Sequence, residues 1–247
     1  MVKKSSIFIF SFFLALLLFI CFCTKQATNK NIIYKELSFV KESALSQIHS
    51  IMNTIALQNK AFANILSQDR DFSMKFFVEN NKSAPEILEI ASKYISPMGF
   101  SFLTVTDSKF EILSCGHFLA NAGSKFESAE LFGDSSVFVM DNIKGEKVLS
   151  LQSKTKLKIL DTDFYVFGGI NVEKDLLPKI FCPNDYSIFI KQGKNIYGNQ
   201  KIESISEIKD STIIINNIIY PAFSVNLPFI GSEENLQLIV VKKTSLK

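Results

Sequence analysis

Few residues in this chain could carry acid-base or nucleophilic chemistry. Its 247 residues include two histidines, His49 and His117. His117 ends the segment FLTVTDSKFEILSCGHF, where two short apolar strands flank a polar turn, and the nearby nucleophile candidates are Ser114 and Cys115. A histidine-based hydrolase also needs a third group that orients the base, and none is evident beside His117. The sequence contains no GxSxG, HExxH or glycine-rich phosphate loop. We therefore predict that the protein is not an enzyme and has no catalytic residues.

The cysteines point to neither a metal site nor a cofactor. None of the four cysteines belongs to a CxxC or Cys/His pattern with zinc-ligand spacing. Cys115 and Cys182, which lie in the body of the chain, would form a disulfide only if their Cα atoms came within bridging distance. Free cysteine is among the most buried residue types, so we expect two buried free thiols.

Charge argues against a nucleic-acid partner. The formal net charge is +3, and the positive and negative residues are interspersed along the chain. A domain that binds phosphates concentrates Lys and Arg on one face. The only arginine is Arg70, so a bidentate guanidinium clamp on a carboxylate has a single candidate.

The N-terminus predicts the compartment. After Lys3 and Lys4 comes an apolar run over residues 7–23, which as a helix would extend ~26 Å, close to the ~30 Å hydrocarbon core of a bilayer. Lysines before such a run favour a cytoplasmic N-terminus and an extracytoplasmic body. The run fits an uncleaved membrane anchor, a cleaved signal peptide, or a lipoprotein signal ending at Cys21 or Cys23, and these alternatives stay open.

Helical patterns fill the first part of the chain. Apolar residues recur at steps of three and four from residue 29 to about 66, which predicts one long amphipathic helix: Ile33, Leu37, Val40, Ala44, Ile48, Ile51 and Ile55. On this helix we expect His49 to face solvent. A second helical stretch covers residues 71–94, with Pro85 in the first turn of a new helix capped by Ser83.

Strand patterns follow in two series. The first comprises residues 100–106, 111–115, 136–140, 147–151 and 163–169. A helix over residues 171–180, capped by Asn171, leads to the second series over residues 186–198, 211–225 and 236–243. Gln192-Gly193 and Asn216-Asn217 are the hairpin turns. The predicted fold is α+β, with a long helix and two tandem antiparallel-sheet modules.

This order of elements resembles the double Cache domain, a tandem PAS-like extracytoplasmic sensory unit of bacterial two-component sensor kinases. The likeness covers residues 31–243. Asp107, His117 and Gly123 match family positions, whereas Phe110, Cys115 and Ser124 stand where glycine, arginine and aspartate are usual. The missing arginine disfavours an organic-acid ligand, unless Lys125 and backbone N–H groups hold it.

The resemblance implies a ligand pocket in the membrane-distal module. It places His117 at the rim, where an imidazole could change charge near pH 6.5. The alternative interpretation is that His117 is a strand-end histidine whose ring is bonded to a backbone carbonyl. Strand alternation adds Ser150 and Gln152, which share a polar face opposite Leu149 and Leu151, and Tyr165 has a polar tip suited to a ligand. A position in solvent or in the core, instead of in the pocket, remains the alternative for Lys125, Ser150, Gln152 and Tyr165.

We thus expect a signal or anchor over residues 1–23, a long helix and helical region over 24–99, a distal module over 100–182 and a smaller proximal module over 183–247. The expected function is extracytoplasmic small-molecule sensing, with the effector outside this chain. The alternative is a free-standing membrane-tethered lipoprotein that uses the fold for protein interaction or structure. Expected partners are a small molecule, the membrane, a signalling protein and a second copy along the long helix, although intramolecular packing would explain the helix pattern equally well.

Overall fold

The fold begins with one long helix, α1 (Lys3–Gln68). The computed structural model describes residues 3–143, 146–198, 205–209, 211–231 and 234–244, with side chains from residue 31 onward except at 142 and 206–209. Among the described residues, no helix combines the length and apolar character needed to cross a bilayer. The side chains of residues 7–23 lie outside the described part, so the segment proposed there stays a prediction.

One face of α1 is buried against both sheets. Its buried apolar residues recur at helical spacing: Leu37, Val40, Ala44, Ile48, Ile55, Phe62, Ala63 and Leu66. Ile33 and Ile51 pack on the same core while partly exposed, and His49 faces solvent. The predicted amphipathic helix is therefore confirmed. Its apolar stripe joins the molecule into one core, because the same cluster contains residues of both sheets.

Short helices follow α1: α2 (Arg70–Ser73), a π-helical turn (Met74–Val78), α3 (Pro85–Leu88) and α4 (Ile90–Ile95). Asp69 caps α2 by accepting from the Phe72 N–H. Pro85 occupies the first turn of α3 as predicted, but the Ser83 cap was wrong. The N-cap is Ala84, and its side chain makes no cap bond, because a proline at the first helical position makes the residue directly before it the cap.

The first sheet has six strands in the order β11-β3-β4-β5-β1-β2. They are β1 (Phe102–Thr106), β2 (Ile112–Cys115), β3 (Val137–Ile143), β4 (Glu146–Ile159), β5 (Thr162–Asn171) and β11 (Phe229–Ile230). All pairs are antiparallel except β11 with β3. The strand predicted at residues 147–151 is longer, because the lysines of KTKLKI alternate with the buried Leu157 and Ile159.

The second sheet has the order β7-β6-β12-β10-β9-β8. Its strands are β6 (Tyr186–Gln192), β7 (Asn195–Gly198), β8 (Ile205–Lys209), β9 (Thr212–Ile215), β10 (Ile218–Leu227) and β12 (Leu236–Lys242). The Asn216-Asn217 turn is confirmed, with φ of 50° and 63°, values that asparagine tolerates. The other turn lies one residue later than predicted, since Gln192 pairs with Asn195.

The two sheets are connected by two short turns, a π-helical one (Val172–Leu176) and a 3₁₀ one (Leu177–Lys179), in place of the regular helix predicted over residues 171–180. The Asn171 cap is confirmed, because its side chain accepts from the Lys174 N–H at 2.8 Å. The α+β architecture with a long helix and two antiparallel sheets is thus confirmed. The predicted module boundaries stay a prediction, and the segment assigned to the second module contributes β11 to the first sheet.

Candidate functional site

A cavity of about 340 Å³ lies on the face of the first sheet that points away from α1. Strand alternation creates this face. In β4, Leu149 and Leu151 belong to the core shared with α1, whereas Gln152 lines the cavity. Other lining residues come from β1, β3 and the loop after β2, among them Thr104, His117, Ser124, Lys125 and Asp141, and Gly231 lines the cavity from the segment after β11.

A carboxylate and two buried polar side chains form one hydrogen-bonded cluster at the cavity wall. The Oδ2 of Asp141 accepts from the Ser150 hydroxyl at 2.9 Å and from the Gln152 amide. Ser150 and Gln152 are almost fully buried, and the Gln152 amide also donates to the Ser150 oxygen at 2.9 Å. Because β3 and β4 pair Val139 with Ser150, the sheet register fixes the cluster.

Burial changes the acidity of Asp141. Desolvation raises the pKa of its carboxyl from 3.8 to about 6, and the hydrogen bonds from Ser150 and Gln152 oppose this shift only in part. The carboxyl therefore ionises near neutral pH without a cation bound to it. Sequence reasoning missed Asp141, because the strand was predicted to end at Met140. The polar alternation of Ser150 and Gln152 on the partner strand was the signal that could have found it.

His117 lies in the cavity wall as a neutral imidazole. Its ring packs edge-on against Phe102, with centroids 5.2 Å apart, and the Cys115 sulfur lies 3.5 Å from its Nε2. Burial lowers the pKa of His117 from 6.5 to about 4. This lowered pKa argues against the expected charge change near pH 6.5, and the hydrogen bond between the ring and the Leu103 backbone fits the alternative of a histidine bonded to a carbonyl. Burial also raises the pKa of the Cys115 thiol, so this neighbour remains protonated and unreactive.

Three of the five predicted site residues, His117, Lys125 and Gln152, line the cavity. Ser150 is buried behind the lining and donates a hydrogen bond to Asp141, which lines it. Lys125 is 63% exposed and lies 3.7 Å from Glu130. Tyr165 does not line the cavity. Its ring packs on Phe110 at a centroid distance of 4.9 Å, in a cluster next to the cavity.

The other residues that carried the family resemblance shape the loop beside the cavity. The Asp107 carboxylate accepts from the N–H groups of Lys109 and Glu111 at 2.9 and 3.0 Å, and Lys82 lies 3.0 Å from it. Phe110 has a φ of 61°, a left-handed conformation that glycine adopts without strain. Asp107 thus stabilises the turn that leads into β2, in which Phe110 takes the left-handed conformation.

The connection between β10 and β12, two strands of the second sheet, closes one side of the cavity. The chain leaves β10, and the Pro228 carbonyl accepts from the Phe138 N–H at 2.9 Å. Phe229 and Ile230 then pair in parallel with Phe138 and Val139, and Gly231 lines the cavity. The connection between β10 and β12 is therefore part of the wall of the first-sheet cavity.

The cysteines and acidic residues show no further chemistry in the described part of the chain. Cys115 and Cys182 are both free thiols, but only Cys115 is buried as expected, whereas Cys182 is half-buried. Within these residues, no group of three or more His, Cys, Asp or Glu side chains is arranged to hold a metal ion. The Asp141 carboxylate can accept a hydrogen bond from a bound molecule, and Thr104, Ser124 and Lys125 in the same wall can donate one.

Comparison with known proteins identifies the architecture. No protein-family model matches the sequence, and neither does any curated protein. Among solved structures, the sensor domain of the Vibrio cholerae histidine kinase DctB has a TM-score of 0.59 at 9% identity, covering 86% of this chain and 97% of that one. The Vibrio cholerae LuxQ periplasmic domain has a TM-score of 0.51 at 14% identity, covering 85% and 98%.

A third similar structure is the ligand-binding domain of the Campylobacter jejuni chemoreceptor Tlp3 in complex with L-valine. Its TM-score is 0.55 at 10% identity, and the match covers 88% of this chain and 95% of that one. Each of these three likenesses covers at least 85% of this chain. The chain therefore has the fold of the sensor domains of histidine kinases and chemoreceptors, and the likeness to double Cache domains seen in the sequence is confirmed for the fold.

Proposed function

We propose that this protein is an extracytoplasmic sensory domain that binds a small molecule in the first-sheet cavity. The observation that carries the proposal is the Asp141 carboxylate, which is desolvated, lines a cavity and, among the residues that the structure describes, is bonded to the neutral donors Ser150 and Gln152 alone. The fold shared with histidine-kinase and chemoreceptor domains supports the same function and an extracytoplasmic location. A pocket with a few convergent polar groups is typical of ligand sites.

The ligand proposed for this cavity carries an ammonium group. A partly desolvated carboxylate gains most from a charged donor, and Lys125, the cationic side chain that lines the cavity, lies near Glu130. The only arginine, Arg70, lines a different groove, so the cavity has no guanidinium clamp for a carboxylate. The Tlp3 domain, which has the same fold, was solved with L-valine.

The proposed roles of the site residues follow from their positions. Asp141 binds the ammonium group, while Ser150 and Gln152 orient its carboxylate. His117 offers one hydrogen bond as a neutral ring, and Lys125 contacts the polar end of the ligand at the cavity mouth. Tyr165 supports the wall through Phe110.

Signal output is proposed to run through α1 and the second sheet. The cavity wall includes Gly231 of the β10–β12 connection, and α1 contacts both sheets. Occupancy of the cavity would shift these contacts. The proposal also includes a signalling partner protein, a homodimer formed along α1 and attachment to the membrane at the N-terminus.

A thermal-shift screen of the full chain tests this function. Small amines, amino acids and dicarboxylates are compared near neutral pH on the wild type, on Asp141→Asn and on the exposed control Asp134→Asn. A ligand at a hundred times its Kd stabilises the folded state by ~2.7 kcal/mol. We expect amines to raise the Tm of the wild type and the control only. The proposal fails if no compound stabilises the protein, or if dicarboxylates stabilise all three proteins alike.

A further inference from the structure

A second concave surface lies at the end of α1 that is farthest from the N-terminus. This tip groove, of about 470 Å³, is lined chiefly by Arg70, Met74, Phe77, Val78, Lys158 and Leu160. Met74, Val78 and Leu160 are 51%, 73% and 74% exposed. Isolated exposed apolar residues are ordinary on a protein surface, but three that line one groove mark an interaction site.

Leu160 is held in this groove against its own conformational preference. It begins the two-residue turn between Ile159 and Thr162, which pair as the last residues of β4 and β5. Its φ is 54°, a left-handed value that is costly for a leucine and is normally taken by glycine or asparagine in such turns. A residue that is both strained and exposed contributes little to folding. This combination favours a role outside the fold.

The floor of the groove is rigid. The ring of Phe77 packs edge-on against the rings of Phe76 and Phe164, at centroid distances of 5.0 and 6.0 Å. Phe164 is completely buried and also contacts Phe72. An aromatic cluster of this kind keeps the groove open without a bound partner, so association would require little ordering of this surface.

Arg70 gives the groove its charge preference. Of the charged side chains that line it, Asp69 accepts the cap bond from the Phe72 N–H, and Lys158 lies 3.5 Å from Asp161. Arg70 is exposed, and within the described part of the chain its guanidinium has no hydrogen bond or ion pair. A free guanidinium beside an apolar surface complements a carboxylate next to an apolar side chain.

We infer that the tip groove docks a segment of another protein that presents an aliphatic or aromatic side chain adjacent to an aspartate or glutamate. The apolar side chain would enter between Met74, Val78 and Leu160, and the carboxylate would pair with Arg70. This contact is separate from the first-sheet cavity and does not depend on the proposed sensing function.

The test is a display selection of short random peptides on the full chain in detergent, counter-selected on a Val78→Ser/Leu160→Asn double variant. Enriched peptides should combine an apolar residue with a neighbouring acidic residue. A synthetic peptide of that pattern should bind about tenfold more weakly to Leu160→Asn and to Arg70→Gln. Leu131→Asn, which changes another exposed leucine that lies outside the groove, should leave its affinity unchanged.

Thermal unfolding separates docking from a folding role. Asparagine accepts the left-handed conformation, so Leu160→Asn should keep or raise the Tm, by at most about 4 °C. A clear fall in Tm would make Leu160 a structural contact and overturn the inference. So would peptides that bind the double variant equally well, enriched peptides without acidic residues, or no enrichment at all. A dimer of the full chain in sedimentation that Leu160→Asn abolishes would instead assign the groove to a second copy.

Discussion

The Ser150 hydroxyl donates a hydrogen bond to the Asp141 carboxylate at 2.9 Å, across the pair formed by β4 and β3. Asp141 lines a cavity that β11, the first-sheet strand supplied by the β10–β12 connection, closes on one side. An ionised carboxylate in such a place destabilises the folded protein when it has no cationic partner, and pairing with a cation stabilises it. The predictions below follow from this relationship and from the contacts that attach α1 to the two sheets.

The ligand-free protein should become less stable as the pH rises, because the Asp141 carboxyl ionises. Since folding raises the pKa of its carboxyl from 3.8 to about 6, its contribution to stability is complete below pH 3.8 and is lost as the pH passes through about 6. The loss is about 3 kcal/mol, from two pKa units at ~1.4 kcal/mol each.

Urea unfolding of Asp141→Asn across this pH range provides the check. The variant should be the more stable protein above pH 6, and the difference from wild type should vanish near pH 4. Asp134→Asn, at an exposed position, should follow the wild type throughout. A difference between Asp141→Asn and wild type that does not change with pH would show that the carboxyl is not desolvated.

The His117 ring should stay neutral in mildly acidic solution. Its pKa is lowered to about 4, so the stability that the neutral ring contributes is present above pH 6.5 and is lost as the pH falls through about 4. Carbon-13 NMR of the imidazoles would measure the titration, and His49→Gln assigns the signals because the chain has only two histidines. A His117 midpoint near 6.5 would contradict the buried position of the ring.

Asn59 should be essential for the contact between α1 and the first sheet. Its buried amide nitrogen lies 2.9, 3.0 and 3.1 Å from acceptors on Ser153, Val166 and Thr155. Asn59→Ala leaves carbonyl groups unpaired in the core, which should lower the free energy of unfolding by about 2–3 kcal/mol in urea denaturation. The exposed Asn64→Ala on the same helix should change it by less than about 0.5 kcal/mol. Equal effects of the two variants would disprove the role of Asn59.

The contact between α1 and the last strand should depend on charge. Lys242 of β12 lies 2.6 Å from the Glu36 carboxylate, which also accepts from the Tyr186 hydroxyl at 3.0 Å. We expect Glu36→Lys to lower the Tm, and Lys242→Glu in the same protein to restore part of the loss. Raising the salt concentration should reduce both effects, because the pair is exposed to solvent. If the double variant has the sum of the two single losses, the pair is not coupled.

Local patterns predicted much of the fold. The steps of three and four along α1, the Asn216-Asn217 turn and the Asn171 cap each depend on residues close in sequence, and the structure confirms them. The polar alternation of Ser150 and Gln152 likewise marked one face of β4 as polar, because side chains in a strand alternate between faces, and Gln152 on that face lines the cavity.

Contacts between distant segments could not be predicted in this way. Asp141 became part of the site through the register of β3 against β4, and β11 joins the first sheet about 90 residues after β3. Tyr165 has the amphipathic character of a ligand contact, yet it lies two residues along β5 from Phe167 and packs on Phe110. Residue type alone does not distinguish these positions.

Calorimetric titration of a stabilising amine into the wild type, Asp141→Asn and Asp134→Asn tests the central claim most directly. If Asp141 binds the ammonium group, Asp141→Asn should weaken binding at least about tenfold, in line with the loss of a charge-assisted hydrogen bond, and Asp134→Asn should bind like the wild type. Equal affinity for all three proteins would contradict the assignment of the cavity as an amine site.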